Sequence, residues 1–490
     1  MKKYIILLCI AFCSVTIYLA LKTPKGFVSI KNGSFSLNEA PFYPVVLNYI
    51  VRLQANENEI WPCAASEYSK EKGLLYTTQD SSLMELEADM QLIKQMGFNT
   101  VRIVGIGEVR IDENNGGALS YWVSYGNEKD SSFTLTNNNV NYDNYFNAME
   151  EMLSIIDKVG LKVILLTRLS ADFKTTENHL MRLAKRFKNN NTIMAFDVFN
   201  EPLYFDPIER PKKDAYQFAK NWASLINRFA PCHLSTIGLE GIREVFEWDP
   251  NILNVDFISY HPYEYEPEQV RNEIYWYGKY TKKPWIIGET AIPSNNDSIT
   301  YEEQRLFAKK TIEQAYNCGA IGYSWWQYKD VDWQKYHASF MGVLNWDGKT
   351  SIKDGPISTQ GTVKPVAQSF KEFDPSIKKG ECLCLDNYYN YSQSNVFRLT
   401  GKLVDENNNP IEGGVILAWN EWWTHSYHTI TKADGSFELL GSYPFYHWMA
   451  SATEYSMVRG DINPDTAKVI TDMPEISLGK LQVNPLDFID

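Results

Sequence analysis

Eight short apolar runs recur between Val45 and Trp325, interspersed with stretches whose apolar residues have helical spacing. The runs are Val45–Tyr49, Thr100–Gly105, Lys162–Thr167, Ile193–Asn200, Leu234–Gly238, Val255–Tyr260, Trp285–Gly288 and Ile321–Trp325. Short, nearly continuous apolar runs suit strands covered on both faces, as in a parallel sheet. Between them, Ser82–Met96 places Leu83, Leu86, Met90, Leu92, Ile93 and Met96 on one helical stripe. Tyr145–Val159 does the same, and further helices are expected at 177–188, 213–229, 267–280, 302–317 and 363–372. Gly97, Gly160 and Gly319 follow three of these helices, where C-terminal caps belong.

This alternation predicts an α/β chain built as a (β/α)8 TIM barrel with insertions, spanning residues 27–373. An open doubly wound sheet is the competitor. It usually carries a glycine-rich phosphate loop after its first strand, and Val45–Leu53 has no glycine. The barrel opens with a short hairpin around Lys31-Asn32-Gly33. The polar and aromatic insertion from Gly105 to Asn141 follows the second strand, which places it on the face where barrel loops contact ligands. Residues 374–395 read as a linker. Short alternating strands at Val396–Val404, Gly414–Trp419 and Phe437–Leu439 then predict a small all-β sandwich over 396–490.

Composition narrows the partners. The chain has 490 residues, and 60 acidic against 47 basic side chains give a net charge of −13, so no nucleic-acid partner is expected. The basic start Met1-Lys2-Lys3 and the apolar run Tyr4–Leu21 make residues 1–22 a signal peptide or a membrane anchor, and the protein is expected to be exported. Of seven cysteines, Cys9 and Cys13 lie in this leader. The remaining five fix no disulfide framework, and Cys382-Leu383-Cys384 is too sparse for a zinc site. His425 and His428 lack companion ligands and read as surface or packing residues, so neither metal nor cofactor is expected.

Two glutamates end predicted strands. Glu201 closes Phe199-Asn200-Glu201-Pro202, and Glu289 closes Ile286-Ile287-Gly288-Glu289. Two carboxyls raised at the C-terminal mouth of a barrel are equipment for breaking a glycosidic bond. Singly, each could be a solvated loop residue or half of a structural ion pair. Their joint occurrence with Arg102, His261, Tyr263 and Trp326, all at strand ends, favours catalysis.

Residues 27–373 resemble glycoside hydrolase clan A, closest to family 5, on the motifs Asn200-Glu201-Pro202, His261-Pro262-Tyr263, Arg102 and Glu289. The resemblance implies a retaining glycosidase acting on a β-linked poly- or oligosaccharide. It makes Glu201 the general acid/base, Glu289 the nucleophile, and Asn200 a contact to the sugar 2-hydroxyl. Tyr263 and Arg102 would support Glu289, His261 would line the site, and Trp326, rather than Trp325, would underlie the reactive sugar. Glu289 is expected to be ionised beside an arginine and a tyrosine, and Glu201 to carry a proton beside that charge. One departure is the third strand, Leu165-Leu166-Thr167-Arg168-Leu169, which lacks the histidine common in the family. Residues 396–490 are similar to the carboxypeptidase-regulatory-like, transthyretin-type sandwich through Gly401–Asp405, Pro410–Val415 and Thr431–Phe437. Its many aromatics suit either a sugar-binding or a barrel-docking face. A monomer is expected, and the rival reading is a non-catalytic carbohydrate-binding protein on a hydrolase scaffold.

Overall fold

A computed structural model describes residues 24–481 except 56–58, 66–67, 70–72, 75–77, 108–109, 113–117, 125–130, 135–138, 168–172, 207, 265, 295–297, 332–338, 352–357, 378, 393 and 463–468. The leader lies outside the described residues. Among the described residues no helix is long and apolar enough to cross a membrane.

Eight parallel strands close on themselves: β1 (Val45–Ala55), β2 (Thr100–Gly105), β3 (Lys162–Leu166), β4 (Ile193–Asn200), β5 (Leu234–Leu239), β6 (Phe257–Tyr260), β7 (Trp285–Ile287) and β8 (Tyr323–Trp325). Closure comes from β8 pairing with β1, with Tyr323 opposite Val45. The strands are buried almost without interruption, because side chains on one face fill the barrel and those on the other meet helices. The longer helices among the described residues are α1 (Gln79–Gln95), α2 (Asn139–Val159), α3 (Phe173–Phe187), α4 (Lys212–Phe229), α5 (Pro267–Tyr280), α6 (Tyr301–Asn317) and α7 (Ala367–Glu372), with one further short turn of helix at Pro202–Phe205. A 3-10 turn at Ile242–Phe246 takes the helix position after β5. The barrel fold expected from the alternation is therefore present.

Local chemistry sets the helix ends. Thr78 caps α1 in a reciprocal box with Ser81, and Thr300 caps α6 in one with Glu303. Gly97 leaves α1 at φ 97°, a left-handed turn that a side chain would strain. Strand β1 runs six residues past the expected Tyr49 and pairs with Ile60–Ala64. The far end of β1 also pairs with Ala118–Ser124, so the described strands of the long insertion form a β-ribbon on its C-terminal extension.

The C-terminal unit is all-β. One sheet holds β9 (Phe397–Asp405), β12 (Ser436–Gly441), β15 (Ile470–Asp472) and β16 (Ile476–Leu478). The other holds β10 (Val415–Trp419), β11 (Ser426–Ile430), β13 (His447–Ser451) and β14 (Val458–Asp461). Strand β10 is buried on both sides, because alternate residues serve two cores. Ile416 and Ala418 face Leu399, Leu403 and Phe437 between the sheets. Val415, Leu417 and Trp419 belong to the barrel's core instead. Polar ties reinforce this seam: Trp276 Nε1 donates to Gly413 O at 2.9 Å, and Lys212 Nζ donates to Ala452 O at 2.9 Å. The described residues of the linker lie against α6 and α5: Gln314 Nε2 donates to Leu383 O at 2.7 Å, Cys318 is joined to Cys382 by a disulfide, and Asn272 Nδ2 donates to Asn387 Oδ1 at 2.9 Å.

Candidate active site

The site is built from the C-terminal ends of β1, β2, β4, β6 and β7. Arg102 on β2 lies opposite Asn48 on β1, and both are fully buried. A buried guanidinium must have its charge and its N–H groups satisfied. Arg102 Nε donates to Asp197 Oδ2 at 2.8 Å, and Nη2 donates to Asn200 Oδ1 at 2.7 Å. Its Nη1 donates to Glu289 Oε1 at 2.5 Å and to Asn48 Oδ1 at 3.0 Å. One side chain thus holds four strand ends in register, a task for the planar fork of arginine rather than the point charge of lysine. Burial opposes the Arg102 charge, but Asp197 and Glu289 outweigh it and raise its pKa.

Glu289 stands two residues beyond β7, and Gly288 makes its approach feasible. A Cβ on Gly288 would lie 1.8 Å from Ser259 Oγ and 2.8 Å from His261 Nε2. Tyr263 OH donates to Glu289 Oε2 at 3.1 Å, so each carboxylate oxygen has a donor. Burial nevertheless pushes the Glu289 carboxyl above its usual range; Arg102 pulls it back, and Glu201 adds to the rise. This modifies the simple expectation of a readily ionised carboxylate, because desolvation exceeds the help from its donors.

Glu201 ends β4 in a left-handed conformation, φ 45° and ψ 68°. For a residue with a side chain that costs about 1–3 kcal/mol and persists only where neighbours impose it. Glu201 N donates to Gly238 O at 2.8 Å, and Leu203 N donates to Glu244 Oε1 at 3.2 Å. The same Glu244 oxygen accepts from Glu240 N at 3.2 Å, so Glu244 joins the turn after β4 to the turn after β5. His261 Nδ1 lies 2.9 Å from Glu201 Oε1 and 3.7 Å from Glu289 Oε1. Burial lowers the His261 pKa to about 4, with Glu289 opposing and Arg102 assisting, so its ring is neutral at pH 7.

Carboxylate oxygens of Glu201 and Glu289 and a ring nitrogen of His261 all fall within 4.8 Å of one another. Such a trio could ligate a metal, but Arg102 already supplies the positive charge there. A second trio, Glu264, Glu273 and His428, converges equally closely at the seam between barrel and sandwich. There Glu273 also accepts from Tyr277 OH.

The structure thus brings Arg102, Asn200, Glu201, His261, Tyr263 and Glu289 together. Trp326 follows β8 and is half-buried, whereas Trp325 is in the core and donates Nε1 to Met341 O at 2.9 Å. Asp197, Asn48 and Glu244 were not singled out from sequence. Asp197 is the one that carried a signal, an acid inside an otherwise apolar strand. The third-strand position expected to lack a histidine is partly outside the described residues; Thr167, within them, donates Oγ1 to Asp197 O at 3.0 Å.

Residues 66–329 match the family described as Cellulase (glycosyl hydrolase family 5). No curated protein sequence matches. Among solved structures, the chain is similar to an exo-β-1,4-mannosidase from Opitutaceae bacterium strain TAV5, with 16% identity and a TM-score of 0.49, over 70% of this chain and 61% of that one. A β-D-glucuronidase from Dictyoglomus thermophilum gives 16% identity and 0.44, over 72% and 54%. A family 5 enzyme variant from Streptomyces cattleya, solved with Manβ1-4GlcNAc, gives 13% and 0.44, over 66% and 80%. The chain therefore spans about 61% of the length of the mannosidase.

Proposed function

The chain belongs to the cellulase family, glycosyl hydrolase family 5, and from that premise we propose that it hydrolyses β-glycosidic bonds with retention of configuration. The substrate is a β-linked poly- or oligosaccharide. Glu289 is the nucleophile: Oε2 or Oε1 attacks the anomeric carbon as Glu201 gives its proton to the departing glycosidic oxygen. The products of this first step are a glycosyl ester on Glu289 and a free leaving-group alcohol. Water then attacks the same carbon while Glu201 takes its proton, and the ester bond breaks to return Glu289 as a carboxylate.

One observation carries this reading. An oxygen of each carboxylate lies within 4.8 Å of an oxygen of the other, which supports the roughly 5–5.5 Å spacing of a retaining pair over the about 6.5–9.5 Å of an inverting one. Other residues fit in support. Arg102 and Tyr263 hold both oxygens of Glu289, and a neutral His261 orients Glu201 without competing as an acid. Asn200, anchored on Arg102, faces the sugar 2-hydroxyl, and Trp326 floors the reactive ring.

Export and a monomeric state belong to the same proposal. The leader favours export, and the Cys318–Cys382 disulfide suits an oxidising compartment.

The test is incubation with a panel of β-glucans, β-mannans and β-xylans, with the first-formed anomer read by NMR. Retention is expected on at least one substrate; a product of inverted configuration would refute the mechanism.

A further inference from the structure

The sandwich presents large aromatics to solvent at the end of β10. Trp422 is 75% exposed, Trp423 54% and Tyr443 43%. Exposed aromatics grouped in this way mark a surface for interaction, whereas singly scattered ones do not. Nor is the loop slack. Asn420 Oδ1 accepts from Thr424 N at 2.9 Å and from His425 N at 3.2 Å, and Asn420 Nδ2 donates to Thr424 Oγ1 at 2.7 Å. Trp423 N donates to Asn420 O at 3.1 Å, closing the turn. Within it Trp423 is held at φ 55°, a left-handed conformation that a bulky residue adopts only where its surroundings impose it. The ring of Trp423 lies 4.1 Å from that of Trp419, which is anchored in the barrel seam. His425 stacks on Tyr443 at 3.8 Å. The faces of Trp423 and Tyr443 are therefore held before any ligand arrives, so binding to them immobilises little.

The patch also has a position. Strands β10 and β13 pack on the 3-10 turn Ile242–Phe246, which follows β5 at the catalytic mouth. Arg459 on β14 pairs with Glu209 at 2.7 Å, in the segment that leads away from Glu201. Along that segment Tyr204 is 71% exposed and Phe205 38%. Exposed aromatics thus occur on the catalytic loop and on the sandwich element tied to it.

We infer that the Trp422–Trp423 loop of the sandwich is a second carbohydrate-binding site, which holds a distal stretch of the glycan chain whose scissile bond lies at the barrel mouth. The chemistry selects the ligand. Flat indole and phenol faces match the C–H faces of pyranose rings, and Asn420, Thr424 and His425 beside them can exchange hydrogen bonds with hydroxyls. No lysine or arginine lies within residues 415–428, which favours a neutral sugar over a sulfated or uronic one. The inference rests on the proposed activity for the identity of its ligand class, and its test separates the two.

The experiment uses the full chain with Trp422→Ala, Trp423→Ala and both together, checked for native circular dichroism. Mobility is measured in native gels containing barley β-glucan, galactomannan or xylan. In parallel, hydrolysis of the same polysaccharides is compared with that of 4-nitrophenyl glycosides of the same sugars. The expected result is retardation of the parent chain by at least one polysaccharide, weakened at least tenfold in the double variant and largely kept by Trp422→Phe/Trp423→Phe. KM for that polysaccharide rises while kcat and the 4-nitrophenyl kinetics stay unchanged. Retardation that depends on the two tryptophans, without hydrolysis, would uphold the site and sink the proposed activity. No retardation by any gel, or retardation indifferent to both tryptophans, would overturn the site whatever the hydrolysis shows. So would sedimentation showing that the patch joins two copies of the chain, with Trp422→Ala abolishing the dimer.

Discussion

Arg102→Met removes the cation that the described residues pair with the buried acids Asp197 and Glu289. Arg102 and Asp197 are wholly buried and Glu289 nearly so, so solvent cannot replace the lost charge. Two unit charges about 4 Å apart at an effective dielectric of about 20 interact by roughly 4 kcal/mol. At 1.36 kcal/mol per pKa unit, about 2–3 units of upward shift in Glu289 follow. Burial already holds that carboxyl above its ordinary 4.5. The nucleophile works ionised, so activity is present above its pKa and is lost as pH falls through it. The acid limb of kcat/KM, followed on a 4-nitrophenyl glycoside, should therefore move up by about 2 units or more. Breaking a buried pair also costs about 3–5 kcal/mol of stability, which urea unfolding will report. If Arg102→Met does not fold, Arg102→Lys keeps the charge but loses the fork, and should retain the limb's position to within about 1 unit while lowering kcat. A folded Arg102→Met protein with an unmoved acid limb would refute the claim that Arg102 governs the charge on Glu289.

Other outcomes follow from the same geometry. Tyr263→Phe deletes one donor to Glu289, a charged-group bond worth about 1.5–3 kcal/mol, so kcat/KM should fall roughly 10- to 100-fold with stability little changed. Glu201→Gln should slow substrates with poor leaving groups by about 10²–10⁴-fold, spare the glycosylation step for a dinitrophenyl leaving group, and erase the basic limb of the pH profile. Cys318→Ser opens a crosslink between residues 64 positions apart, and chain entropy puts the loss near about 4 kcal/mol, measurable as a lower urea midpoint that reductant reproduces in the parent chain.

Much of the barrel was legible because its signals are local. A strand buried on both faces is apolar along nearly its whole length, so Ile193–Asn200 announced itself to the residue despite Asp197. The helices expected at 267–280 and 302–317 lie at Pro267–Tyr280 and Tyr301–Asn317, because their apolar spacing is a local signal too. What stayed hidden depends on contacts distant in sequence. Asp197 matters only because Arg102, 95 positions away, needs a second counter-charge. Glu244 sits in a turn with no motif, and its task is visible only once the chain after β4 lies beside it. Cysteine spacing does not fix connectivity, so Cys318–Cys382 could not be read in advance. The double burial of β10 was likewise unreadable, because an apolar strand does not state how many cores it serves.

The central claim is that Glu289 forms a covalent bond to sugar while Glu201 manages the proton. Incubation with activated 2-deoxy-2-fluoro glycosides slows the breakdown of any such ester enough for peptide mass spectrometry. The account predicts a single adduct on the peptide containing Glu289, retained in Tyr263→Phe and absent from Glu289→Gln. An adduct on Glu201, on Glu240 or on any other side chain would contradict it.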